Sequence, residues 1–246
     1  MAYQQVKDIR QFFIDELNDE AFTIDKTGQK TIELIGASFV ADQPSIFGEP
    51  STEYIKKEIA WYESQSLNIN DIYGEERDAP AAWKYAADRH GNINSNYGKL
   101  IFSEQYYDQF NSAVFELDNN RDSRRAMMIY NRPSIWTEFN ENGKSDFICT
   151  NAVSYYIRED MLNCVVQMRS NDVVFGYKND YAWQEYVQQK VCDAYNKMNP
   201  FDQIGPGIII WQVQNLHVYE RHFDLVKPAK SSQAKSTQME FDWRAV

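Results

Sequence analysis

Cys149 sits in Phe147-Ile148-Cys149-Thr150-Asn151, at the head of a run rich in β-branched and aromatic residues, and Arg169-Ser170 follows twenty positions later. A free cysteine by itself packs as a small hydrophobe. A guanidinium beside it changes the expectation, because positive charge lowers a thiol pKa and the thiolate is the form that attacks an electron-poor carbon. Glu58 falls in the helical stripe Tyr54, Ile55, Ile59, Tyr62, four residues from both tyrosines. An acid on an apolar face is a paired core acid, the mark of a slightly rotated helix, or a desolvated carboxyl that handles protons. Asp180 stands with Asn179 where a long helix is expected to open, and capping that helix is sufficient reason for it. Arg124-Arg125 reads either as a solvated pair at a strand entrance or as donors for a dianion, since planar guanidinium groups suit phosphates. His217 and Tyr219 are two apart and share a face if their segment is a strand. His90 and His222 fit no role that these patterns suggest.

The elements that must position these groups are partly legible. Val6, Ile9, Phe13 and Leu17 recur at helical spacing, Thr31 to Val40 reads as extended, and the stripe around Glu58 predicts a second helix. Ala126 to Tyr130, Phe147 to Ile157, Leu162 to Met168 and Gly207 to Val213 have strand composition, several of them in one buried sheet. Trp183, Tyr186, Val187, Val191, Ala194, Tyr195 and Met198 predict a long helix from about Asn179-Asp180 to just before Pro200. The whole reads as a mixed helix and sheet protein, residues 1–246 forming one catalytic domain, with a polar and mobile segment at 227–238.

Composition narrows the class. Aromatic residues make up 15% of the 246 positions, which excludes a low-complexity chain. The net charge of −11 argues against a general nucleic-acid platform, so no direct nucleic-acid binding is expected and any phosphate must meet a local arginine cluster. Three cysteines without metal-ligand spacing, and no apolar run long enough for a bilayer, predict a cytoplasmic protein with no metal and no membrane association. P-loop, zinc and dinucleotide-binding patterns are absent from the sequence.

The segment from Arg169 to Asp180, Arg-Ser-Asn-Asp-Val-Val-Phe-Gly-Tyr-Lys-Asn-Asp, taken with Cys149 upstream and His217 and Tyr219 downstream, resembles the nucleotide-binding core of the thymidylate synthase and deoxycytidylate hydroxymethylase family. The resemblance runs from about Asp25 to about Phe223. It implies an α+β, thymidylate synthase-like fold: a large mixed β-sheet with flanking helices, in a sheet-to-sheet homodimer with shared active sites. By resemblance, Cys149 is the nucleophile at pyrimidine carbon 6, Glu58 the general acid/base, and Asp180 the group that faces the base edge. Lys26, Arg169 and Ser170 hold the nucleotide phosphate, Arg124 and Arg125 reach it across the dimer interface, and His217 and Tyr219 bind the sugar hydroxyl. Trp83, Asp172 and Gly176 lie on the side of the cosubstrate, 5,10-methylenetetrahydrofolate, and Tyr97 flanks folate and nucleophile.

Two departures from the synthases point the same way. They carry asparagine at the position of Asp180, and Pro-Cys-His where this chain has Ile148-Cys149-Thr150. Asparagine suits uracil, whereas an acid can accept from the amino group of cytosine and, when protonated, donate to its ring nitrogen. The resemblance therefore implies folate-dependent 5-hydroxymethylation of dCMP in phage modified-DNA synthesis. Arg244-Ala245-Val246 resembles the synthase C-terminus and favours the rival, reductive methylation. A third reading is a non-catalytic nucleotide-binding subunit of a phage nucleotide-synthesis complex, an assembly that also stands as an expected partner.

Overall fold

The computed structural model describes residues 3–24 and 28–227. Lys26, the polar stretch past residue 227 and the terminal Arg244-Ala245-Val246 lie outside the described residues. Strand β1 (Gln4–Gln5) leads into helix α1 (Val6–Asn18), which buries Val6, Ile9 and Phe13 as their spacing predicts. Strands β2 (Thr23–Ile24) and β3 (Lys30–Val40) precede helix α2 (Thr52–Ser64), whose N-cap Ser51 accepts the backbone N–H of Tyr54. Helices α3 (Ala81–Ala86), α4 (Tyr97–Phe102) and α5 (Gln109–Asn119) follow. Then come strand β4 (Met127–Ile129), the single-turn α6 (Ile135–Glu138), and the hairpin of β5 (Thr150–Arg158) and β6 (Met161–Met168). The short β7 (Asn171–Asp172), the long α7 (Gly176–Met198) and β8 (Gly205–Tyr219) complete the frame.

The sheet runs β1-β3-β8-β6-β5-β4, with β2 added on β3 and β7 on β8. It is mixed: β3 and β8 are antiparallel, β8 and β6 parallel, and β6, β5 and β4 antiparallel. Side-chain alternation divides its faces. Leu162, Cys164, Val166 and Met168 of β6, with Ile209, Trp211 and Val213 of β8, are buried. Helix α7 lies against these strands and buries Trp183, Val187 and Val191. Gln188 of α7 bonds to the carbonyls of Leu162 and Gly207 at 2.7 and 3.2 Å, satisfying groups freed where the β6–β8 register slips. On the alternate positions Met161, Gln167, Ile208 and Gln214 are exposed, and Gln167 bonds to Gln212 at 3.3 Å.

Boundaries moved in three places that matter for chemistry. The strand expected from Phe147 begins at Thr150, so Phe147, Ile148 and Cys149 form a lead-in to β5. Helix α7 opens at Gly176, not near Asn179-Asp180. The cause is Asp172, whose Oδ1 accepts the backbone N–H groups of Val174 and Phe175 at 2.9 and 2.6 Å and turns the chain into the helix early. Asp180 is therefore inside the helix, and the capping reading of it fails. Strand β8 continues to Tyr219, well past the expected Val213, and so carries both His217 and Tyr219.

Candidate active site

The lead-in to β5 is stitched to the end of β6. The N–H of Arg169 donates to the carbonyl of Cys149 at 2.9 Å, and the Arg169 carbonyl accepts from Asn215 on β8 at 3.2 Å. The Arg169 guanidinium bonds to the carbonyls of Phe147 and Ile148 at 2.6 and 3.1 Å and lies 3.5 Å from Cys149 Sγ. Three neighbouring strands thus deliver one thiol and one guanidinium. The expected low thiol pKa is not what results. Burial pushes the Cys149 thiol up to about 11; Arg169 opposes this, and the nearby charges of Asp180 and Asp146 add to it. Burial thus favours the protonated thiol over the thiolate, although the side chain keeps some exposure. The loop entering α4 is fastened to this region by Asp146, which accepts from the backbone of Asn94 and Ser95 at 2.5 and 2.8 Å and from the Ser95 hydroxyl at 2.6 Å.

Glu58 is buried, 5% exposed, on α2. Its Oε1 takes a short hydrogen bond from the Tyr54 hydroxyl, one helical turn earlier, and another from the Trp83 indole N–H at 3.1 Å. Burial raises the Glu58 carboxyl to about 7, and the two donors hold it from going higher. A carboxyl held near neutrality in this way can take up or release a proton at working pH. The spacing of Tyr54 to Glu58 carried the signal for this contact, since residues four apart on a helix are neighbours. The indole of Trp83 came from α3 and had no local signal.

Asp180, in the second turn of α7, accepts at Oδ2 from Asn171 Nδ2 at 2.8 Å. Burial, and then the charge of Glu58, raise its carboxyl to about 8, against the pull of Asn171. Two acids near each other are thereby poised around neutrality. Gly176 leaves room here: a Cβ at that position would lie a tight 3.0 Å from Asn171 Nδ2 and 3.4 Å from Asp172 Cβ. Gly98 has a similar use, because its Cβ would fall 1.9 Å from the Tyr62 carbonyl where α4 crosses α2. That approach stacks Tyr97 on Tyr62 with ring centroids 5.3 Å apart.

At the end of β8, His217 is buried, its ring edge-on to Tyr219 at 4.9 Å and its Nδ1 3.4 Å from the Asn215 carbonyl. Burial lowers its pKa, favouring a neutral ring. Asp172 pairs with His217 across β7 and β8. With Oδ1 spent on the turn, its buried Oδ2 has no hydrogen-bond partner and lies 3.9 Å from His222 Nδ1. An unsatisfied buried acceptor suits an N–H donor from a ring ligand. Ser170 is half-buried beside Arg169. Arg124 and Arg125 are exposed at the start of β4, and Arg125 pairs with Glu116 at 3.0 Å. Among the described residues, neither arginine contacts Cys149, Arg169 or Ser170.

A large mixed sheet with a thiol and an arginine at its strand ends, and a carboxyl raised by burial on each of the helices α2 and α7, defines the class. The family model described as thymidylate synthase matches residues 15–245, and the chain belongs to that family. It is 52% identical over 221 residues to the deoxycytidylate 5-hydroxymethyltransferases of Enterobacteria phages T6 and T4, covering 90% of this chain and 89% of theirs. Its fold is similar to that of thermostable thymidylate synthase A from Bacillus subtilis, with TM-score 0.65 and 18% identity over 91% of this chain and 83% of that one. No helix among the described residues is long and apolar enough to cross a membrane.

Proposed function

We propose that this chain is a deoxycytidylate 5-hydroxymethyltransferase, converting dCMP to 5-hydroxymethyl-dCMP in the cytoplasm of a phage-infected host. The observation that carries the reading is the 52% identity to the phage deoxycytidylate enzymes over 90% of the chain, and Asp180 fits it: an acid raised to about 8 by its surroundings can, when protonated, donate to the cytosine ring nitrogen and accept from the amino group. Cys149 gives up its thiol proton to solvent and bonds through sulfur to carbon 6, making carbon 5 nucleophilic, and Arg169 offsets the negative charge on the thiolate. When bound, 5,10-methylenetetrahydrofolate supplies the one-carbon unit as its methylene group. Trp83, Gly176 and the unpartnered Oδ2 of Asp172 fit a ring cosubstrate of this kind. Glu58 accepts the proton leaving carbon 5 and orients the water that provides the hydroxyl, a task matched by a carboxyl near 7.

His217 and Tyr219 bind the sugar, and Lys26, Arg169 and Ser170 the phosphate. The exposed Arg124 and Arg125 serve the site of a second subunit, so the working form is a homodimer joined through the open face of the sheet, within reach of a phage nucleotide-synthesis complex. Mass spectrometry of the product made from dCMP and methylenetetrahydrofolate tests the reaction. A hydroxymethyl adduct is expected. A methyl adduct would mean reductive methylation, and no adduct would mean a nucleotide-binding subunit.

A further inference from the structure

A neutral carboxylic acid is ambivalent toward pyrimidines. With the proton on one oxygen it donates to N3 of cytosine and accepts from the amino group; with the proton on the other it accepts from N3–H of uracil and donates to its oxygen. An acid at position 180 is therefore not enough to choose between the bases. Something must decide which oxygen carries the proton.

The surroundings of Asp180 contain such a device. Trp211, fully buried on β8, donates its indole N–H to Asn171 Oδ1 at 3.3 Å. An indole N–H only donates, so the amide oxygen must face Trp211 and the amide nitrogen must face Asp180. Asn171 is itself 4% exposed, held in β7 against β8, with Gly176 leaving just enough room for its Nδ2. Nδ2 then donates to Asp180 Oδ2 at 2.8 Å. The carbonyl oxygen of a neutral carboxyl is the stronger acceptor, so this bond favours the proton on Oδ1. The ionisable groups around Asp180 are Glu58 and Tyr62 on α2, Tyr97 on α4, Tyr130 after β4 and Cys149 before β5, and none of them donates to Oδ2.

We propose that Asn171, oriented by Trp211, is a positioning residue for base selection: it holds Asp180 in the one neutral form whose Oδ1–H meets N3 of cytosine while Oδ2 accepts the amino group. Uracil then brings its oxygen against Oδ2, where the proton is disfavoured. The inference rests on the dCMP reading above and adds a second residue to it.

The test compares Asn171→Ala, Trp211→Phe and Asp180→Asn with the parent, measuring kcat/KM for dCMP and dUMP and following the Asp180 carboxyl carbon by NMR titration. In Asn171→Ala the preference for dCMP over dUMP should fall roughly tenfold, with dUMP turnover rising. The Asp180 midpoint should climb from about 8 by roughly one pH unit, because a donor to the ionised form has gone. Trp211→Phe, which keeps Asn171 but frees its amide to turn, should change the ratio in the same direction. If Asn171→Ala is folded and binds dCMP yet its ratio is unchanged or moves toward dCMP, while Asp180→Asn does shift the ratio, the inference is wrong and the substrate reading stands. If Asp180→Asn leaves the ratio unmoved, the base-edge reading of Asp180 falls and this inference falls with it.

Discussion

Removing a single oxygen atom, by Tyr54→Phe, should change the pH dependence of turnover rather than simply weaken it. The Tyr54 hydroxyl donates to Glu58 Oε1, and the Trp83 indole N–H lies 3.0 Å from that hydroxyl and 3.1 Å from the same carboxylate oxygen. Burial and the charge of Glu58 push the Tyr54 pKa far up, so it remains a donor across the working range. Hydrogen bonds to charged acceptors contribute ~1.5–3 kcal/mol, or about one to two pH units. Trp83 still donates after the substitution, so the lower end applies. Donors favour the ionised form; losing one should raise Glu58 from about 7 to roughly 8. If ionised Glu58 is the base, the acid limb of the kcat profile moves up by about one unit and turnover well below pH 7 falls roughly tenfold, with much less loss at about pH 8. The alkaline limb, assigned to Asp180, should move much less, because Tyr54 reaches it only through its coupling to Glu58. Initial rates with dCMP at saturating methylenetetrahydrofolate, from about pH 5 to 9.5, give both limbs. A uniform loss with both limbs unmoved would show that Tyr54 only packs against α2 and would refute the proton-handling role of this contact.

Four further outcomes follow from the same geometry. Cys149→Ser should bind dCMP but lose turnover, whereas Cys164→Ser and Cys192→Ser should retain it, since both of those thiols are buried in the sheet and helix core; wild-type-like rates for Cys149→Ser would end the covalent mechanism. Asp180→Asn should shift the kcat/KM ratio from dCMP toward dUMP by roughly tenfold, about 1.4 kcal/mol. The same substitution should raise Tm at pH 8, because an acid whose folded pKa lies above its ordinary value loses stability as pH rises through about 8, and the gain should shrink toward about pH 4; a pH-independent Tm difference would contradict the burial of this charge. Mixing inactive Arg125→Ala with inactive Cys149→Ser should restore activity through heterodimers that contain one intact site, and no recovery after verified subunit exchange would confine the phosphate site to one chain.

Much of the frame is set by local pattern. The stripe through Val6, Ile9 and Phe13 specifies α1 because helical geometry repeats every 3.6 residues, and the alternation in β6 specifies which side of the sheet is buried. Residue type alone left Cys149, Glu58, Asp180 and the arginines with ordinary structural readings, and only the resemblance carried by Arg169 to Asp180 together with Cys149 marked them as site candidates. What sequence could not decide is how these groups behave. Cys149 has Arg169 beside it as expected, yet its thiol is raised, because burial sums over the whole surroundings and outweighs one guanidinium. Asp180 reads as a helix cap until Asp172 is seen to start the helix four residues earlier, at Gly176. The orientation of Asn171 depends on Trp211, forty positions away, and the anchoring of Asn94 on Asp146, fifty-two positions away. Strand pairing brings these partners together, and a protonation state is a property of that assembled neighbourhood rather than of any segment of the chain.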